Sequence, residues 1–362
     1  MKIGIDAHIL EDYRTGAARY LFNLLQEWSK LSQKFVLYFR NRTPNDIPDS
    51  DNFQKRIIKT NSNALFIHYF LPRAAEKDKV DILFCPAYVA PIFYKGKIAL
   101  ALHDIIYEAR PDLYNWPSVF DRILLKKVSK ISAKKAKIIF ACSQFTKNEI
   151  IKHYKINPDK IFVTPLATDK KFTPHFLKKS RGLKNIKRKY GIKDKFIFYV
   201  GAIINRRFIP ETIKGFIKTT DKLPDYQFLI GGRNYTNQEI KGKGVIHIDY
   251  IDENDLNILY NAADLFIWLS SYEGFGLPPL EAMACATPVI TTKMSSLPEV
   301  VDEAGLFVEN PENINEISQA IYKGLIDKEL RKELINRGLE QAKKFSWQRT
   351  AKQTINNLLE NE

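Results

Sequence analysis

The chain has 362 residues, room for two domains of ordinary size, and an aliphatic and aromatic share of 45%, that of a globular protein. No run approaches the ~18 apolar residues that a spanning helix needs, which points to a soluble or peripheral protein. The 56 Lys and Arg against 41 Asp and Glu give +15, an excess that either meets an anionic partner or coats the surface with solvated lysines.

The opening MKIGIDAHIL carries one lysine, a short apolar run broken by Asp6 and no small-residue cleavage site, so no signal peptide is expected. Cys85, Cys142 and Cys285 are few, odd in number and far apart. They suggest neither a disulfide framework nor a zinc ligand set, and a reducing cytoplasm fits them best.

The first predicted strand, KIGIDA, runs toward DYRTGAARYLFNLLQEWSKL, residues 12–31, where Leu21, Leu24, Leu25, Trp28 and Leu31 share one helical face. Gly16 then falls at the helix start, where a backbone without Cβ can approach a phosphate that the helix N-terminus favours. After the strand KFVLYF, the polar NRTPNDIPDSDN of 41–52 reads as an exposed loop. Its Asp49-Ser50-Asp51 could hold a divalent ion, although in a Pro- and Asn-rich loop such a triplet is turn chemistry, and no metal is expected.

The strands DILFCP and KIALALHD follow, the latter ending in His103 and Asp104. A histidine closing a buried strand is either a satisfied structural residue or, at a cleft edge, a hydrogen-bond partner for a reacting sugar or phosphate. Residues 116–137 read as a basic amphipathic helix with Phe120, Ile123, Leu124, Val128 and Ile131 on one face and six lysines toward its end. That face packs on a core or, alternatively, meets an anionic membrane. KIIFACS and IFVTPL complete the first half. The charged stretch 175–195 reads as a linker with an entry helix.

In the second half FIFYVGA leads into a turn where Arg206 and Arg207 follow Gly201, placed to compensate a pyrophosphate. YQFLIGG, VIHIDYI, LFIWLS, PVITTK and GLFVE are the remaining strands. LFIWLS opens onto SSYEGFGLPPLEAMACATPVI, in which Glu273 lies in a loop and Glu281 near the start of a helix that Pro278 and Pro279 begin. Acids there are favourable caps, but a cap does not require the Gly274-Phe275-Gly276 turn, which brings backbone N–H groups toward an anion. Apolar strands that do not alternate are those buried on both faces of a parallel sheet. The expected fold is therefore α/β, two doubly wound Rossmann-like domains facing a central cleft, at 1–178 and 190–344.

These stretches together resemble glycosyltransferase family 4, the retaining enzymes of GT-B fold. The resemblance spans nearly the whole chain and is most specific at E-x7-E, Glu273 to Glu281, continuing into SSLPEVVDEAGLFVEN; ACSQFTKNEI and FSWQRTA also match the family's pattern. It implies that Gly16 contacts the donor diphosphate and that Arg206 and Arg207 neutralise it. Glu273 and the backbone of Gly274, Phe275, Gly276 and Leu277 would hold sugar and phosphate, and Glu281 the ribose. His103, with Asp104, would lie on the acceptor side beside the transferred sugar, and 345–362 would return to the first domain. The subgroup most resembled, often mannosyltransferases of surface polysaccharide synthesis, tends to read Arg-Lys-Asn where this chain has Arg206-Arg207-Phe208.

The reaction so implied is hexose transfer, mannose favoured and GDP-mannose the favoured donor, to a saccharide or lipid-linked acceptor, without a metal; the net positive charge and the 116–137 helix suggest that the acceptor is carried on a polyprenyl diphosphate at the inner membrane face. Arginines and helix N-termini would stabilise the leaving diphosphate, and no enzymatic nucleophile is needed. Three other readings compete. A glycosidase would use the paired carboxylates, but an ionised Glu281 is ill suited as the acid. A nucleic-acid-binding protein fits the charge but lacks a motif or an aromatic platform. A catalytically silent sugar-nucleotide binder has Phe208 as its support.

Overall fold

Runs of Ile, Val, Leu and Phe too continuous to leave a wet face assemble into two all-parallel sheets in the computed structural model, which describes residues 1–11, 15–114, 116, 118–175 and 181–360. The first contains β1 (Lys2–Asp6), β2 (Lys34–Phe39), β3 (Phe53–Ile57), β4 (Ile82–Cys85), β5 (Lys97–Leu102), β6 (Ile138–Ala141) and β7 (Ile161–Val163), in the order β3-β2-β1-β4-β5-β6-β7. The second contains β8 (Lys195–Val200), β9 (Tyr226–Gly231), β10 (Val245–Ile248), β11 (Leu265–Trp268), β12 (Val289–Thr292) and β13 (Gly305–Val308), in the order β10-β9-β8-β11-β12-β13. Strands β4, β6, β11 and β12 are buried along their whole length. In both sheets the strand order reverses beside the first strand, at β1/β4 and β8/β11. Outside the carboxyl ends of strands at such a reversal, doubly wound sheets bind ligands.

Two units result, Met1–Leu166 with Ser346–Glu362, and Ala167–Phe345. Residues 167–175 thus belong to the second unit and not, as the sequence suggests, to the first. The reason is local packing: Phe172 lies edge-on to Tyr260, and Asn261 Nδ2 donates to the Thr173 carbonyl. Arg181–Lys189 is a helix of the same unit.

Thr15 caps the helix Gly16–Trp28 by accepting from the Ala18 amide, and Tyr20, Leu21, Leu24, Leu25 and Trp28 bury its inner face. Against that face lies the helix Trp347–Glu360 of the same unit, where Trp28 Nε1 donates to the Ala351 carbonyl at 3.0 Å. β3 has no counterpart among the expected strands. As an edge strand it buries only Phe53, so its sequence FQKRI continues the polarity of the loop before it.

The expected helix at 116–137 forms over Val119–Lys135, but its packed face is not the apolar one. Ser129, Ser132 and Ala133 are buried, whereas Ile123, Leu124 and Ile131 are 49%, 46% and 47% exposed. The Phe120 side chain lies outside the described residues. Small residues let the helix sit close, and their hydroxyls are satisfied: Ser132 Oγ accepts from the Ala90 amide and donates to its carbonyl, while Ser129 bonds Tyr107 and Tyr154. Among the described residues no helix is long and apolar enough to cross a membrane. Cys85, Cys142 and Cys285 are buried, and among the described residues no disulfide joins them. Asp49 forms an ion pair with Lys55 at 3.3 Å.

Candidate active site

In the second unit the chain leaves β8 through Gly201, whose φ of 149° disfavours any side chain. A Cβ at that position would stand 2.8 Å from the Trp268 ring and 2.9 Å from Arg207 Nη1. The bare backbone admits the arginine, which lies over the face of Trp268 at 4.1 Å from the ring centroid. Tyr199 stacks on the same indole at 5.1 Å. Arg207 Nη1 donates to the Ala202 carbonyl at 2.6 Å and Nε to Glu273 Oε1 at 3.1 Å.

Arg206 reaches the same carboxylate, with Nη2 3.5 Å from Glu273 Oε2, and its buried Nε has no hydrogen-bond partner among the described residues. Ser270 Oγ donates to Glu273 Oε1 at 2.9 Å. Main-chain bonds zip the two loops together, Phe208 N to Leu269 O and Ser271 N to Arg206 O. The sequence thus places Arg206, Arg207 and Glu273 on separate loops, and folding of β8 beside β11 brings them into one cluster.

Glu273 is buried and the arginine side chains are only 15% and 10% exposed, so the charges depend on one another. Burial opposes ionisation of Glu273, yet Arg207 and Arg206 hold its carboxyl below the usual range. Burial likewise opposes the charge on Arg207, while Tyr199 and Glu273 raise its pKa. The carboxylate expected to face sugar hydroxyls is therefore occupied in orienting guanidiniums, two cations against one anion.

After Glu273 the turn Gly274-Phe275-Gly276 is strapped from behind by two serines that sequence reasoning did not single out. Ser295 Oγ accepts from the Glu273 amide, and Ser296 Oγ donates to the carbonyls of Glu273 and Phe275 at 2.9 and 2.7 Å. Their signal is the Ser-Ser-Leu-Pro string that precedes the short helix Leu297–Val301. Gly276 caps the helix Leu277–Ala284 at a φ of 117°. Glu281 lies in the second turn of that helix, deeper than the start where the sequence puts it, and Tyr260 OH donates to its Oε2 at 2.9 Å. The resulting surface combines oriented backbone, a helix N-terminus and an arginine pair, the elements that bind a diphosphate.

In the first unit Gly16 is the first residue of its helix, and among the described residues nothing lies within 4 Å of where its Cβ would be. His103 follows β5 with Nε2 3.0 Å from the Pro86 carbonyl and its ring edge-on to Tyr20. Burial pushes its pKa down to about 4. At neutral pH the ring is therefore uncharged, Nε2–H donates to Pro86, and Nδ1 is the hydrogen-bond acceptor. Asp104 accepts from the Ile106 amide at 3.2 Å, at the start of the helix Ile106–Ala109.

The family profile described as glycosyl transferases group 1 matches residues 184–341, and the one described as Glycosyltransferase Family 4 matches residues 14–172. The chain is 31% identical to the O-antigen chain mannosyltransferase B of Escherichia coli over 74% of its own length and 73% of that relative's. It is 29% identical over 70% of its length to the serotype-specific mannosyltransferase WbdA of Escherichia coli, of which it spans about a third (32%). Among solved structures, HepE of Anabaena in complex with UDP-glucose is similar with a TM-score of 0.74 at 14% identity, over 99% of this chain and 100% of that one. Matched in both halves and similar in fold throughout, the chain belongs to glycosyltransferase family 4 and has the GT-B fold of two Rossmann-like domains.

Proposed function

We propose that this glycosyltransferase moves a hexose, mannose favoured, from a nucleotide diphosphate sugar to a saccharide or polyprenyl-diphosphate-linked acceptor in cell-surface polysaccharide synthesis, with retention of anomeric configuration. The observation that carries the reading is the Arg206–Glu273–Arg207 cluster, largely shielded from solvent, in the loop that leads to the helix N-terminus at Gly276 and Leu277. Mannose as the transferred sugar is supported by the names of the relatives in Escherichia coli, and a nucleotide sugar as donor by the UDP-glucose complex of HepE.

In this reading negative charge grows on the diphosphate as the glycosidic bond breaks, and the two arginines are already desolvated and aimed before it does. Their charge replaces that of a divalent ion, so a chelator leaves turnover intact. The departing phosphate oxygen takes the acceptor's proton on the face it leaves, which gives retention without an enzymatic nucleophile. Glu281, anchored by Tyr260, takes the ribose hydroxyls. A glycosidase is disfavoured because Glu273, held below the usual carboxyl range by its arginines, cannot serve as the protonated acid. Transfer from GDP-mannose to a lipid-linked or synthetic mannoside, followed by mass spectrometry, is expected to fall more than tenfold in both Arg207→Ala and Glu281→Ala. A loss smaller than tenfold in both contradicts the assignment.

A further inference from the structure

We infer that Tyr199 and Trp268 are positioning residues: they fix Arg207 so that only its Nη2 edge is left for the donor diphosphate. The inference rests on the proposed nucleotide sugar donor. A guanidinium carries five N–H donors in a rigid fork. Three of those on Arg207 are occupied within the chain: Nε donates to Glu273 Oε1 at 3.1 Å, and Nη1 to the Ala202 carbonyl at 2.6 Å and, in a longer contact, to Tyr199 OH at 3.4 Å. The two on Nη2 have no partner among the described residues and are not buried, in a side chain only 10% exposed.

Two buried aromatics set that orientation. Tyr199 OH donates to the Ala202 carbonyl at 3.0 Å, so the oxygen that holds Nη1 is itself held. Trp268 supplies a surface: the guanidinium lies 4.1 Å from its ring centroid, and Tyr199 stacks on the indole at 5.1 Å with 18° between the planes. Both aromatics are 1% exposed, and the Trp268 Nε1–H is buried with no acceptor among the described residues. An unpaired buried donor costs stability, and leucine or phenylalanine would end β11 without that cost. What the indole offers instead is its broad face, the best of the aromatic surfaces for a cation. Arg206 has no such seat. It is tied to Glu273 by an ion pair at 3.5 Å and makes no side-chain hydrogen bond among the described residues. Arg207 is therefore the preorganised member of the pair, with no reorientation needed as charge grows on the diphosphate. A lysine has neither the fork nor the planar face, so this seat is built for arginine.

The test is a pair of double-mutant cycles on the full chain, read by calorimetry as the dissociation constants of GDP, UDP, ADP and CDP. For whichever of these the unsubstituted protein binds, Arg207→Lys and Trp268→Leu are each expected to weaken affinity about tenfold, and Tyr199→Phe about threefold. Placed on the Arg207→Lys background, Trp268→Leu and Tyr199→Phe each add less than about twofold, because no guanidinium remains to be placed. A merely structural role would lower the melting temperature and leave the losses multiplying. Full losses repeated on the Arg207→Lys background therefore overturn the positioning role and leave the donor reading standing. Unchanged affinity in Tyr199→Phe overturns it as well, and this near-isosteric variant decides the matter where Trp268→Leu fails to fold. Absence of binding to the unsubstituted protein overturns the donor reading and this inference with it.

Discussion

Arg207 shows how one residue's role follows from its neighbours. A lysine there would keep the charge but lose the Nε bond to Glu273 and the broad contact with the Trp268 face, so Arg-for-Lys in this family position goes with a stacked indole. His103 yields a pH prediction. Its pKa lies near 4 in the folded chain and near 6.5 when unfolded, so between these values the unfolded chain binds a proton that the folded chain does not. Stability therefore rises with pH across that window and is lost as pH falls through it, by roughly 1.4 kcal/mol for each pH unit crossed at most. His8, whose pKa is raised by Asp6 in spite of burial, acts in the opposite sense, so the comparison must isolate His103. Urea midpoints of the unsubstituted protein and His103→Gln at pH 7, 5.5 and 4.5 should converge as pH falls; a constant difference contradicts the assigned burial. At this scale the sequence singled out the arginines and both glutamates by residue type and spacing, and the structure brings Arg206, Arg207 and Glu273 into one cluster. It did not single out Ser295 or Ser296, whose importance lies in partners far along the chain.

Among the elements, the turn between β8 and the helix Ile209–Thr220 is the most constrained, because Gly201, Trp268 and Arg207 share one volume. Gly201→Ala forces an L side chain into an unfavourable φ and into both neighbours, at a cost of about 1–3 kcal/mol. The expected outcome is a lowered melting temperature together with weakened nucleotide affinity, measured by calorimetry on the same sample. Full affinity with lowered stability would mean that the arginine's placement does not depend on the turn. Legibility at this scale follows burial. Central strands announce themselves through apolar runs, while edge strand β3 shows too little burial to register. The helix Val119–Lys135 misleads because periodicity reveals an apolar stripe but not which face the core takes; serines with local partners won the packed side.

At the scale of the whole molecule, each unit builds the same device from its own sequence: a parallel sheet whose strand order reverses beside its first strand. The grammar of alternating apolar strands and helices made this fold readable, since it depends on composition and period alone. The division of the chain was less readable. Residues 167–175 join the second unit through Phe172 and Asn261, and Ser346–Glu362 returns to the first, both through contacts remote in sequence.

The most direct test of the central claim, that the second unit binds a nucleotide diphosphate sugar through its arginine cluster, is the melting temperature of the purified protein. It is measured against a panel of nucleoside diphosphates and their sugars, without and with magnesium. A ligand present at 100 times its dissociation constant stabilises by about 2.7 kcal/mol. The account predicts such a shift with one base, GDP favoured, independent of magnesium and absent in Arg207→Ala and Glu281→Ala. No shift with any member of the panel, or an equal shift in both variants, would contradict it.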